Sequence, residues 1–429
     1  MTEFKTLRGM RDLLPDDAEL MIYVQETARK IAKLYGYKEI ITPVVESYEL
    51  LATKAGDEVK SRMFTFKDLG GRDVALRPEF TPSVARLVAT SMRNEPKPFR
   101  IFCMGSAYRY DEPQRGRYRE FWQSDFELVG TFRPEADAEI LTLTDSLFQK
   151  VGLRKFGLKV GHVGILRGIL GKEKVKEKDQ NAIMQLMDKK QYDDAVKLVE
   201  DACVSKKCVE AVRELIECKG KDIVDVLNRI RELVKNYENS VAAVENLRTI
   251  LELVNNSGYK IDLTVDAGFA RGLEYYTGMV FEIFVPDLDI ALGGGGRYDK
   301  LVELFGGEPT PAVGVAHGMD RITLAMGTQK IDFKAKKERT IIVVPIKEEL
   351  KTEALKIARL LRDADMLVEV EVMGRKMTKA LEDADRRKTD YAIIVGEREL
   401  KEGSVVLRDL SKRDQRIVPI EKLVDEIKR

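Results

Sequence analysis

Residues 20–35, LMIYVQETARKIAKLY, place Val24, Ala28, Ile31 and the Leu34/Tyr35 pair on one face at helical spacing. Pro15, Asp16 and Asp17 precede this stripe and Gly36 follows it, which predicts a bounded amphipathic helix. The pattern then changes period. YKEIITPVVE (37–46) is β-rich, and Pro43, which has no amide hydrogen for a ladder, suits an edge or a strand end. MFTFKDLGGRDVALRPEF (63–80) predicts a hairpin turning at Gly70 and Gly71. PFRIFCMGSAYRYDEP and GRYREFWQSDFELVG, within 98–130, predict two further strands around a polar, arginine-rich loop. Antiparallel strands interleaved with helices predict an α+β fold.

From about Leu170 the texture becomes Lys/Glu-rich and helical, with Ile223, Val226, Leu227 and Ile230 at i, i+3, i+4, i+7, and strand signals return only at YKIDLTVD (259–266). The expectation is a helical insertion over 171–238 in a core made of 1–170 and 239–327. After the helix signal in HGMDRITLAMG, residues 328–338 are charged without an apolar period, as a linker would be. RTIIVVPI, a helix with Ala354, Ile357, Ala358 and Leu361 on one face, MLVEVEV, a second helix and YAIIVG then predict β-α-β-α-β. Residues 339–429 should therefore form a separate α/β domain with a mostly parallel sheet.

A chain of 429 residues suits two to four domains at about 100–200 residues each. Hydrophobic residues are 44% and charged ones 34%, which argues against disorder, and 73 Lys+Arg against 72 Asp+Glu give no global basic field. A polyanion partner must be met by local clusters. The start, MTEFKTLRGMRDLLPDD, lacks a secretory apolar core, and no stretch reaches ~18 uninterrupted apolar residues, so a cytoplasmic protein that avoids membranes is expected. Cys103, Cys203, Cys208 and Cys218 are few, and CVSKKCVEAVRELIEC lacks a fourth ligand and lies on a helical pattern, so the cysteines are expected to be structural. His162 and His317, the only histidines, are far apart and predict neither a His-based triad nor a metal cluster.

The chemistry concentrates in YRYDEPQRGRYREFWQSDFELVG (108–130). Arg109, Arg115, Arg117 and Arg119 crowd its loop, and Gln123, Asp125 and Glu127 alternate on the next strand, hence on one sheet face. Three polar groups on a face packed against an apolar core would cost roughly 1–3 kcal/mol each if unpaired, so this face should either meet solvent or line a polar pocket.

This segment resembles motif 2 of the class II aminoacyl-tRNA synthetases. IITPVVE with Pro43 resembles motif 1, and PAVGVAHGMDRITLAM with Arg321 is similar to motif 3. RGMRDLLP, LRPEFTPSVAR, RGLEYYTGMVFE and GGGGRYDKLVELFGG are together similar to one family of that class, the histidyl-tRNA synthetases, in order along nearly the whole chain apart from the insertion. The last domain resembles that subclass's anticodon-binding domain.

The resemblance implies ATP-dependent activation of L-histidine, Mg²⁺ on the β- and γ-phosphates, transfer to the 3′ end of the histidine tRNA, and a homodimer formed through motif 1. It implies that Arg109 holds the α-phosphate and substrate carboxylate, that Arg271 approaches the α-phosphate from the opposite side, and that Arg321 backs the nucleotide. Phe121 would stack on adenine, with Arg117 and Tyr118 also at the nucleotide. Glu79, Thr81 and Gln123 would receive the α-amino group, and Glu127 and Tyr276 the imidazole nitrogens, with Tyr275 as a wall. On the strand alternation expected of Tyr275 and Tyr276, at most one of them faces the pocket directly, Tyr276 before Tyr275. Motif 2 commonly carries Arg-x-Glu; here Asp111 stands third, which leaves its nucleotide contact open. The competing reading is a catalytically silent relative, the histidine-sensing regulatory subunit of ATP phosphoribosyltransferase, which typically lacks both the last domain and the arginine matching Arg271.

ALGGGGRYDK (291–300) lacks the Gly-Lys-Ser/Thr ending of a phosphate loop and follows FEIFVPDLDI, a run expected to return antiparallel to the one beginning at Tyr276. Glycine inside a strand often marks close approach of a ligand. Gly293 to Gly296, with Gly294 and Gly295 at the centre, are expected to form a side-chain-free floor, and Arg297-Tyr298-Asp299 to close the strand structurally.

Overall fold

The first helix spans Pro15–Leu34, with Pro15 in its first turn and Asp16 and Asp17 at its positive end. Met21, Val24, Ala28 and Ile31 are buried. Leu34 is not: it is 69% exposed because the helix ends there, and Gly36 (φ +76°) turns the chain away. Tyr35 takes the inward place, its hydroxyl 2.8 Å from those of Ser146 and Tyr259.

The computed structural model describes residues 4–202, 204–286, 288–333 and 339–428, which divide into two units, Met1–Phe333 and Lys334–Arg429. The first is built on a nine-stranded sheet. Its spatial order is Lys38–Glu39, Phe99–Tyr108, Glu120–Val129, Ala312–Gly318, Leu288–Arg297, Met279–Val285, Gly157–His162, Leu263–Asp266 and Lys219–Gly220. The six strands from Phe99–Tyr108 to Gly157–His162 in that order pair antiparallel. Pro43 separates the edge strand Lys38–Glu39 from Val45–Ser47, which joins a three-stranded sheet with the hairpin Thr65–Lys67 and Asp73–Leu76. That hairpin turns through Gly71 at φ +78°.

One face of the large sheet rests on helices. The His317 ring on Ala312–Gly318 meets Thr144 Oγ1 (3.2 Å) and Phe148 from helix Pro134–Lys150. The other face is open over its centre. The register brings Gln123, Asp125 and Glu127 beside Gly318, Ala316 and Gly314, and these last two beside Gly294 and Gly296. Small residues on two adjoining strands therefore hollow out the sheet next to a polar row.

The region after Leu170 is helical, with Glu177–Asp188, Tyr192–Asp201, Lys206–Glu217 and Ile223–Leu233 burying one face each. It also carries a strand missed in the sequence pattern: Lys219–Gly220 pairs with Val265 and Asp266, too short to show a period. Cys103, Cys208 and Cys218 are buried and free; Cys203 lies outside the described residues. Ile331 and Phe333 pack on the core, Phe333 lying 5.6 Å from the Tyr23 ring, so part of the segment 328–338 belongs to the first unit. Residues 334–338 lie outside the described residues.

The second unit has a five-stranded sheet ordered Leu367–Val370, Thr340–Pro345, Tyr391–Val395, Ser404–Asp409 and Asp414–Pro419. The first three are parallel, joined through helices Lys351–Arg362 and Met377–Arg386, and a C-terminal antiparallel hairpin completes the sheet. No helix among the described residues is long and apolar enough to cross a membrane.

Candidate active site

A cavity of about 290 Å³ opens over the hollow in the large sheet. Five arginines, Arg62, Arg109, Arg117, Arg271 and Arg321, line it together with Glu79, Thr81, Phe121, Gln123, Tyr275 and Tyr276. The chain reaches this point from seven separate segments.

Arg109 follows strand Phe99–Tyr108, and its Nε donates to the Pro78 carbonyl (2.9 Å), which leaves the outer edge of the fork free. Its Nη2 lies 3.8 Å from Glu79 Oε2. Arg321 sits in the first turn of helix Met319–Thr328 and is held by carbonyls as well: Nε donates to Gly116 (3.1 Å) and Nη1 to Ala291 (2.6 Å). A carbonyl orients a guanidinium without cancelling its charge. Burial and the neighbouring cations Arg117, Arg109 and Arg271 push Arg321 down to about 10. Such crowding of like charge is unfavourable until an anion enters. Arg117 Nε is buried without a hydrogen-bond partner, 3.5 Å from Asp111 Oδ2. Asp111 also binds Arg62 Nη1 at 2.9 Å, so its carboxylate is tied between two arginines.

Arg119 is scaffold. Its guanidinium stacks on Tyr110 at 3.5 Å and donates to the Asp111 carbonyl, while its amide donates to Gly9. Arg11 pairs with Asp320 and stacks on Tyr118 at 3.6 Å; Asp320 accepts in turn from the Trp122 amide (2.6 Å). The N-terminal RGMR segment thereby fastens the arginine-rich loop to the helix that carries Arg321.

The cavity wall also carries acidic and aromatic groups. Tyr275 Oη donates to the Glu79 carboxylate (3.3 Å to either oxygen), whose pKa burial raises and Arg109 pulls back. The Tyr275 and Tyr276 rings lie 4.9 Å apart, and both line the cavity. The alternation expected of them fails because the strand begins only at Met279, and residues before it are free of period-two geometry. Glu127 differs from the other candidates, since it lies under the cavity rather than on its wall. Thr81 Oγ1 donates to its Oε1 (2.8 Å) and Tyr298 Oη to its Oε2 (2.6 Å), and burial raises its pKa to about 7. It fits because residue 314 is glycine: a Cβ there would stand 1.5 Å from Glu127 Oε2. Asp125 lies deeper still, with no partner for either oxygen, and burial with Glu127 and Glu79 nearby pushes its pKa well up. The polar row is thus graded, with Gln123 at the cavity and Asp125 enclosed.

All four glycines of 293–296 line the cavity. A Cβ at Gly294 would stand 2.5 Å from Arg271 Nη1, and one at Gly296 3.0 Å from the Tyr276 ring; at Gly293 and Gly295 it would strike backbone of the adjoining strand at 2.5 and 2.0 Å. Arg297 and Asp299 are structural, joined to each other at 3.0 Å and to Asp137 through Arg297. Tyr298 is more than a strand end, because it lines the cavity and holds Glu127. Sequence reasoning also missed Asp188, which reaches the rim from the helical insertion; nothing in its local pattern distinguishes it from other helix-end acids. Among the described residues, no group of three or more His, Cys, Asp or Glu is placed to hold a metal ion.

An antiparallel sheet hollowed at its centre, with arginines, carboxylates and tyrosines lining the hollow, is the architecture of a class II aminoacyl-tRNA synthetase. The family model for histidyl-tRNA synthetase matches residues 9–322, and that for the anticodon binding domain matches 340–429. The chain belongs to the histidyl-tRNA synthetase family. It is 42% identical over 424 residues to the histidine–tRNA ligase of Methanocaldococcus jannaschii, covering 98% of this chain and 99% of that one. It is 38% identical over 432 residues to that of Saccharolobus solfataricus, covering 100% and 99%. The crystal structure of histidyl-tRNA synthetase from Nostoc sp. has the same fold, with a TM-score of 0.80, 24% identity and full coverage of both chains. A Bacillus halodurans structure titled as an ATP phosphoribosyltransferase regulatory subunit/histidyl-tRNA synthetase gives a TM-score of 0.77 at 26% identity, covering 92% of this chain and 98% of that one.

Proposed function

We propose that the protein activates L-histidine with ATP and transfers it to the 3′ end of the histidine tRNA. The observation that carries this reading is the cavity itself, where arginines converge with hydrogen-bonded carboxylates and tyrosines over the hollow in the sheet.

In the first step a carboxylate oxygen of histidine attacks the α-phosphorus of ATP, the bond to the β-phosphate breaks, and pyrophosphate leaves. The carboxylate is already ionised at neutral pH, so no general base is needed. Alignment and electrostatic stabilisation carry the reaction. Arg109 and Arg271 hold the α-phosphate from opposite sides, Arg321 and Arg117 back the nucleotide, and Tyr118 and Phe121 flank the adenine. Mg²⁺ would come as part of the ATP substrate and would supply charge neutralisation to the departing pyrophosphate.

Glu79, Thr81 and Gln123 receive the α-amino group. Tyr276 and Glu127 engage the imidazole; a carboxylate has about four acceptor sites, and the bonds from Thr81 and Tyr298 occupy two of Glu127's. Buried polar groups left unpaired by any other side chain reject it, and such discrimination reaches ~10⁴ without editing. The regulatory-subunit alternative is disfavoured by the match of 340–429 to the anticodon binding domain and by Arg271 in the cavity. Ile41, Val44, Val45, Phe66 and Leu69, all exposed in and near the motif 1 segment, support a homodimer that covers them.

ATP/pyrophosphate exchange with each amino acid in turn tests the assignment. Histidine should support exchange well above the others; a signal for histidine no higher than for proline, threonine or glycine rejects it.

A further inference from the structure

The segment Arg271–Glu274 lies in neither helix nor strand, so no regular ladder holds the backbone on which Arg271 stands. What holds it comes from the helical insertion. Helix Glu177–Asp188 presents Asn181, Gln185 and Asp188 at i, i+4 and i+7, one face of the helix. Asn181 Nδ2 donates to Glu274 Oε2 (3.1 Å), and Gln185 Nε2 donates to Glu274 Oε1 (3.3 Å). The Gly272 amide donates to Asp188 Oδ2 (2.9 Å). Arg167 fixes the Asn181 amide through its Oδ1 (2.9 Å).

Asp188 ends its helix and opens into the cavity rim, where its charge and that of Glu282 act on Arg271. A carboxylate at the mouth of a polyphosphate site repels the ligand and should be selected against unless it does something else. Gly272 shows what that is: a Cβ there would stand 2.9 Å from Asp188 Oδ2, so the backbone is drawn close onto the carboxylate.

We propose that the inserted helix is the positioning element of Arg271, and that Asp188, acting through the Gly272 amide, is its positioning residue. The insertion is then part of the machinery of activation, and displacing it moves Arg271. This rests on the reading of Arg271 as an α-phosphate contact.

Single-turnover formation of histidyl-adenylate by the full chain tests it. Asp188→Ala should lower the rate constant ~10–100-fold, as expected of a small misplacement of a reacting contact, with dissociation constants for histidine and ATP changed only a few-fold. Asp188→Asn, which keeps an acceptor for the Gly272 amide, should recover most of the rate and so separates positioning from misfolding. In an Arg271→Ala background, Asp188→Ala should change the rate by less than about twofold, because its effect runs through Arg271. A rate at or above wild type for Asp188→Ala, as for a carboxylate that only repels phosphate, overturns the positioning role alone. Equal losses in both backgrounds do the same. A wild-type chain that forms no histidyl-adenylate overturns the functional reading and this proposal with it.

Discussion

Two arginines bracket the glycine strand, Arg297 buried and Arg321 partly buried, and their charges are managed in opposite ways. Arg297, at the strand's end, meets Asp137 at 3.0 Å and Asp299 at 3.0 Å; burial works against its charge, and the two carboxylates more than offset that, so its pKa is raised. Arg321, bonded to Ala291 at the strand's start, is held by two carbonyls among three other arginines, and burial and those cations lower its pKa to about 10. The fixed carboxylates around Arg297 offset its charge within the fold. Arg321, oriented by carbonyls and crowded by like charge, keeps its charge available for an anion.

The contrast predicts that the two sites fail differently. Arg297→Ala strands Asp137 and should destabilise the fold by ~3–5 kcal/mol, seen in chemical denaturation; an unchanged midpoint would show the pair to be unimportant. Arg321→Ala relieves repulsion and should leave the thermal midpoint unchanged or raised. Its kcat/KM for ATP in exchange should fall ~10²–10³-fold, the scale of a lost transition-state donor. If stability falls and the rate does not, the two arginines have been assigned the wrong way round.

Gly294→Ala probes the floor between them. Its Cβ would meet Arg271 Nη1 at 2.5 Å and the Phe281 carbonyl at 2.7 Å, so Arg271 must move. Exchange should drop about tenfold or more. Gly327→Ala, a helical glycine whose Cβ would meet nothing within 4 Å, serves as the control and should keep full activity. Equal behaviour of the two variants would refute the idea that bare backbone at 294 shapes the site.

The smallest effect concerns Glu127. With its pKa raised to about 7, it is largely protonated below that pH in the empty cavity and ionised above it. The ionised form is the stronger acceptor for an imidazole N–H, so the KM for histidine should fall a few-fold as pH rises through 7. Glu127→Gln should lose that part of the profile and keep only the substrate's own titration. Identical profiles would place Glu127 outside imidazole recognition.

Much of this was legible in the chain. The hairpin at Gly71, the paired strands 99–108 and 120–129 and the break before the last domain follow from period and turn chemistry, which act within a few residues. The arginine-rich loop and the four glycines marked the site because both are wrong for an ordinary core. The rest was hidden for physical reasons. Tyr275 and Tyr276 both face the cavity because they precede the strand rather than lie on it. Lys219–Gly220 is too short for a pattern, and the role of Asp188 depends on a backbone amide 84 positions away.

By itself, then, the sequence determined most of the longer strands and helices, the order of the motifs along the chain, and the family to which it belongs, because these rest on local periodicity and on residue identity. Only the tertiary structure decided depth and partnership. Gln123, Asp125 and Glu127 share one face at period two, yet one lines the cavity, one is enclosed without a partner and one lies beneath Gly314, held by Thr81 and Tyr298. Likewise Arg297 and Arg321 carry the same side chain. The difference between these two is whether distant chain brings a carboxylate or a carbonyl to the guanidinium, and that is set by sheet register and helix packing.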